Sequence, residues 1–141
     1  MKWIIMLILP LLTLATQGQA QDADSELFVV ITSEDAETQM MALVLATQSV
    51  NRDVPVRILL CGEGGNLALK DFETTTFQPA DRSPKELLVG LIEGGVKTEV
   101  CGIYLPNREY SESDLIDGVG VASPPEVAGY MAKENVRYFT F

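Results

Sequence analysis

The sequence predicts an α/β fold, a three-layer sandwich with a mostly parallel, flavodoxin-like or Rossmann-like sheet of about five strands. Three observations point to it. Leu27-Phe28-Val29-Val30-Ile31-Thr32 and Pro55-Val56-Arg57-Ile58-Leu59-Leu60-Cys61 are near-continuous apolar runs of strand length. Such runs fit strands covered on both faces, as in a parallel sheet. Stretches with helical spacing alternate with these runs, giving the order β-α-β-(α)-α-β-(α)-β-α-β. Two Ser-Pro-x-Glu segments, at Ser83 and Ser123, mark helix starts between strands.

The first strand is Leu27–Thr32. Ser33 to Val50 follows as a helix laid on the sheet, with Met40, Leu43, Val44 and Thr47 as its buried stripe and Met41 and Leu45 widening it. Asn51-Arg52-Asp53 breaks it. Pro55–Cys61 is the second strand, with proline at the first position, where a missing donor costs little. Gly62 to Asn66 reads as a flexible loop, Leu67 to Phe72 as a short helix, and Glu73 to Arg82 as an exposed loop. In the next helix Ser83 caps, Pro84 takes the first helical position, and Glu86 completes a capping box. Leu87, Leu88, Leu91 and Ile92 form its buried face, and Gly94-Gly95 ends it. Val96 to Tyr104 is the third strand. Ser111 to Leu115 is a short helix or turn, and Val119–Ala122 a fourth strand. The helix from Pro124 buries Val127, Tyr130 and Met131. Val136–Phe141 is the terminal strand.

The first residues read as a signal rather than as fold. Lys2 is followed by an apolar run from Trp3 to Leu14, and Gly18-Gln19-Ala20 supplies small residues before a cut. This is the pattern of a secretory signal peptide over 1–20, cleaved after Ala20. The run is shorter than the roughly 20 apolar residues of a comfortable membrane span; an uncleaved anchor is the alternative. No cysteine stands at the cut to carry a lipid. A polar stretch over 21–26 reads as a disordered mature N-terminus, and 27–141 as one domain. The expected location is periplasmic or secreted.

Loss of Lys2 takes the chain's formal charge from −10 to −11. So acidic a protein is not built to hold nucleic acid or an anionic membrane surface, since phosphate contacts need Lys and Arg. The chain has no histidine. That removes Ser/His/Asp and Cys/His nucleophile pairs and any histidine-based metal site. No metal or cofactor is expected. Gly62-Glu63-Gly64-Gly65-Asn66 lacks the lysine and spacing of a phosphate-cradling loop, and Glu63 would repel phosphate. Glu112, Asp114 and Asp117 match no calcium-loop spacing.

The two cysteines carry what chemistry remains. Both Cys61 and Cys101 end apolar strand-like runs rather than sitting in loops, so two thiols are expected in place of a permanent disulfide. Ligands of open α/β sheets bind outside the carboxyl ends of the strands, and Cys101 stands at such an end. Gly102 allows close approach to the backbone there. Tyr104 and Tyr110 flank the position, and Arg108 can fold back over it. A sulfur nucleophile works as the thiolate, which without histidine must be favoured by amide dipoles or by Arg108. Glu99 opposes this, lying on the same side of a strand as Cys101 by the period of two. Cys61 reads as a second or resolving thiol, or as core packing.

From Ser83 onward the ordered features resemble the DsrE/DsrF-like family of small sulfur-relay proteins. They are the helix ending in Gly94-Gly95-Val96-Lys97, the strand ending Val100-Cys101-Gly102, Arg108, Leu115, Gly118-Val119, Val121-Ala122-Ser123, a Pro-Glu helix start, and a last strand ending in Phe141. The resemblance implies a parallel-sheet fold and assembly into dimers, trimers or hexamers. It also implies that Cys101 accepts and passes on sulfane sulfur as a persulfide, between sulfur donor and acceptor proteins. Two features depart from the pattern. Tyr104 stands where many members have a second cysteine, and many characterised members are cytoplasmic. A non-catalytic oligomeric binding module that keeps the fold is the alternative function.

Overall fold

The computed structural model describes residues 25–141. The expected signal peptide and most of the polar stretch after it lie outside the described residues. Among these residues the chain forms one sheet of five strands in the order β4-β3-β2-β1-β5. The strands are β1 (Glu26–Ile31), β2 (Val56–Leu60), β3 (Lys97–Cys101), β4 (Val119–Ala122) and β5 (Val136–Thr140). Every neighbouring pair is parallel, so all carboxyl ends emerge on one edge. Glu26, assigned by its polarity to the tail, opens β1 and donates its amide to the Asn135 carbonyl.

Helix α1 (Ala36–Val50) joins β1 to β2, and α2 (Pro84–Glu93) leads into β3. The two pack side by side on one face. The connection from β4 to β5 runs back across the sheet. Because crossovers are right-handed, its helix α3 (Pro124–Met131) falls on the opposite face. The alternation of side chains along β1 shows the two layers. Val29 and Ile31 belong to the large core under α1 and α2, whereas Phe28 belongs to a smaller cluster that Val127 and Tyr130 cover from α3.

Several local expectations are corrected. The buried side of α1 is Gln39, Ala42, Leu43 and Ala46, while Met41, Val44 and Leu45 are exposed. The alanines let the helix lie close to the sheet, and Gln39 is accommodated because its side-chain amide donates to the Ser33 carbonyl at 2.8 Å. Ranking positions by hydropathy misses small residues that serve close approach. Second, Gly62–Ala68 is a 3₁₀ helix rather than a loop, and residues after Cys101 turn instead of extending the strand to Tyr104. Third, the two Ser-Pro starts behave differently. Ser83 and Glu86 form the full capping box. Ser123 makes no side-chain cap, and Glu126 is drawn instead to Lys97 and Arg57. Met131, expected in the buried stripe of α3, is exposed.

Candidate functional site

The site is built at the carboxyl edge of β1, β2 and β3. Leu60 and Val100 form the last register pair of β2 and β3. The next residues are Cys61 and Cys101, so adjacent parallel strands deliver the two cysteines side by side. Cys61 still has extended backbone (φ −130, ψ 161) and donates its amide to the Ile31 carbonyl at 2.9 Å. Cys101 remains in β3, opposite Ala122 of β4. Both are free thiols of intermediate exposure. The Cys61 thiol is pushed up to about 12, first by burial, then by a hydrogen bond with Cys101 and by the charge of a Cys101 thiolate.

After Cys101 the chain turns at once, with the Tyr104 amide donating to the Cys101 carbonyl at 2.8 Å. Gly102 is required there, because a Cβ would come within 2.7 Å of the Ala122 carbonyl oxygen. Its role is to let the turn pass the end of β4. Ile103, the next residue, is one of the most exposed apolar side chains of the fold, at 68%.

Tyr104 does not line an open pocket. Its side chain is buried, its hydroxyl donates to Asn66 Oδ1 at 2.6 Å, and its ring stacks on Tyr110 with centroids 6.3 Å apart. Burial pushes the phenol up to about 12 despite the nearby Arg108 cation. The Arg108 guanidinium carbon lies 4.7 Å from the Tyr104 ring centroid, and its Nη2 donates to Glu63 Oε1 at 2.8 Å. That ion pair, with a further hydrogen bond from Asn66, lowers the Glu63 carboxyl from its ordinary value. Arg108 is thus held by Glu63 and Tyr104 and does not reach over as a free cation.

These contacts make a brace between the loop after β2 and the loop after β3. Glu63 and Asn66 hold Arg108 and Tyr104, and Gly65 leaves room for the ring, since a Cβ there would sit 2.4 Å from it. Gly64 passes equally close to β1, where a Cβ would lie 2.4 Å from the Ile31 carbonyl oxygen. The glycine-rich segment is a packing device. Sequence reasoning missed Glu63, Gly65 and Asn66 as structural partners of the site because nothing local marks a brace between loops about forty residues apart. The glycine cluster itself was the available signal.

Glu99 does not impose a bare negative charge on Cys101. It is buried under α3, where Oε2 accepts from Arg57 Nε at 2.8 Å and Nη2 at 2.6 Å, with Lys97 at 3.4 Å from its other oxygen. Asp114 caps Ser111, and Asp117 pairs with Lys70. Among the described residues no cluster of cysteine and carboxylate side chains is arranged to hold a metal ion.

Residues 25–141 match the model of the DsrE/DsrF-like family. The chain belongs to that family. Among curated proteins it is 29% identical over 114 residues to the uncharacterized protein MJ0760 of Methanocaldococcus jannaschii, an alignment covering 79% of this chain and 42% of that protein. The chain thus spans under half the length of that relative. Among solved structures it resembles the YchN protein of E. coli, with a TM-score of 0.70 and 19% identity over 83% of this chain and 99% of that one. It also resembles MTH1491 of Methanobacterium thermoautotrophicum, described as a protein of unknown function. There the TM-score is 0.61 and the identity 21%, with the same coverages. At these identities the likeness is one of fold.

Proposed function

We propose that the protein is an exported sulfur carrier, or a sulfurtransferase-related protein, that holds sulfane sulfur as a persulfide on Cys101. The observation that carries this reading is the placement of a free, half-exposed cysteine at the carboxyl end of β3 in a DsrE/DsrF-like domain. The adjoining Cys61 thiol supports it. It directly follows the neighbouring strand, so two free thiols stand at the same edge of the sheet. Gly102 holds the turn that presents the sulfur, while Tyr104 and Arg108 keep the Cys101 loop fixed against the Cys61 loop. Donor and acceptor are sulfur-carrying proteins.

Incubating the protein with a persulfide donor is expected to add about 32 Da, one sulfur atom, at Cys101. Cys101→Ser abolishes the adduct and leaves the fold intact, because serine is nearly isosteric. Arg108→Ala slows loading by loosening the loop, without preventing it. A wild-type protein that takes up no sulfur would replace the carrier reading with that of a non-catalytic binding module.

Export and assembly belong to the same proposal. An apolar patch supports a partner of like kind. Met41 and Leu45 on α1 and Phe139 on β5 are exposed, and a groove of about 600 Å³ runs between α1 and β5. β5 is also an edge strand of the described sheet. A second copy is the proposed partner. Protein recovered from the periplasm or medium should begin at Gln21 and scatter light as a particle heavier than a monomer. A chain retaining Met1 defeats the first claim, and a monomeric mass at micromolar concentration defeats the second.

A further inference from the structure

We propose that Cys61 is the resolving thiol of this site, displacing the sulfur carried on Cys101 as hydrosulfide and closing a reversible Cys61–Cys101 disulfide. This rests on the carrier reading above and adds a route by which the sulfur leaves. The geometry comes from the sheet. The two cysteines follow the Leu60–Val100 register pair directly, and Cys61 keeps extended backbone. Neighbouring strands run about 4.8 Å apart, inside the roughly 4.4–6.8 Å between Cα atoms that a disulfide spans. Both thiols are free. The brace of Tyr104 on Asn66 and Arg108 on Glu63 holds the flanking loops together.

The step balances without an outside oxidant. The Cys61 sulfur bonds to Sγ of Cys101, the bond between Sγ and the carried sulfur breaks, and the Cys61 proton leaves with that sulfur as HS⁻. The carried sulfur gains two electrons, and each cysteine sulfur gives up one. A dithiol reductant then reopens the bridge and restores both thiols by exchange. Exchange proceeds through the thiolate, so Cys61 gives up its proton as it attacks and the departing sulfur takes that proton.

The test uses the chain from Gln21 to Phe141 as wild type, Cys61→Ser and Cys101→Ser. Reduced wild type treated with diamide should lose about 2 Da within a single chain and become inert to thiol alkylation, and neither variant should do so. Wild type loaded with a persulfide donor and then freed of it should lose the adduct of about 32 Da, gain the disulfide, and release about one equivalent of sulfide. Cys61→Ser should keep the adduct at least about tenfold longer. Failure of the intrachain bridge to form under diamide overturns the inference. Equal adduct lifetimes in wild type and Cys61→Ser do so too. Loading without resolution defeats this step alone, whereas no loading at all defeats the carrier reading and the step with it.

Discussion

Replacing Arg57 with alanine is expected to destabilise the domain by about 3–5 kcal/mol, the usual cost of removing one partner of a buried ion pair. Arg57 and Glu99 are both buried, with side-chain exposures of 7% and 6%. The guanidinium donates twice to one Glu99 oxygen. It also lies against aromatic rings on both sides of that layer, 4.8 Å from the Tyr130 centroid and 5.8 Å from that of Phe28. Alanine removes the partner, the cation–π contacts and the stem that fills space under α3, leaving Glu99 with the half-exposed Lys97. Urea unfolding should show a lower midpoint with little change in slope. Exchanging both Arg57 and Glu99 for apolar residues of similar size should recover most of the loss, since a well-packed apolar pair often matches a buried ion pair. A loss below about 1 kcal/mol for the single change would contradict this account.

Gly64→Ala is expected to cost about 1–3 kcal/mol or more, the range for forcing atoms into a filled core. The added Cβ would stand 2.4 Å from the Ile31 carbonyl oxygen, 2.7 Å from its carbon and 3.1 Å from the Thr32 nitrogen. All three are backbone atoms in or just beyond a central strand, so no side chain can swing aside. The strain falls three residues from Cys61, whose amide is bonded to that same Ile31 carbonyl. Faster hydrogen exchange at the Cys61 amide, alongside the lower unfolding midpoint, would locate the damage. Gly90 is the control: a Cβ there meets nothing within 4 Å. Gly90→Ala in α2 should be neutral or stabilising by up to about 1 kcal/mol. If both alanines behaved alike, the close approach at Gly64 would not be the cause.

The fold was legible because its signals are local. Apolar runs such as Leu27–Thr32 and the capping box at Ser83 and Glu86 each fix an element from within a few residues. Cys101 at a strand end was legible for the same reason. What could not be read were choices made by distant partners. Ser123 and Glu126 repeat the letters of a capping box, yet Lys97 and Arg57 compete for the carboxylate and win it. Arg108 carries no mark showing that Glu63, rather than Cys101, is its neighbour. Glu99, suspected of burdening the thiol, proved to be neutralised by Arg57 on the preceding strand. The pairing of Cys61 with Cys101 depended on the register of β2 against β3, which no single stretch of sequence specifies.

The placement of β5 beside β1 has a mechanical consequence. The foot of β1 and the head of β5 lie at opposite ends of two neighbouring strands that run the same way. The Phe141 carbonyl is fastened at that head by the Thr32 and Ser33 amides and the Thr32 hydroxyl. At the foot, the Glu26 amide is bonded to Asn135. A pull that draws the two ends apart therefore slides one strand along the other and loads the whole ladder at once. The bonds share the force instead of opening singly like a zipper, so under tension the ladder that joins first strand to last acts as a clamp in shear.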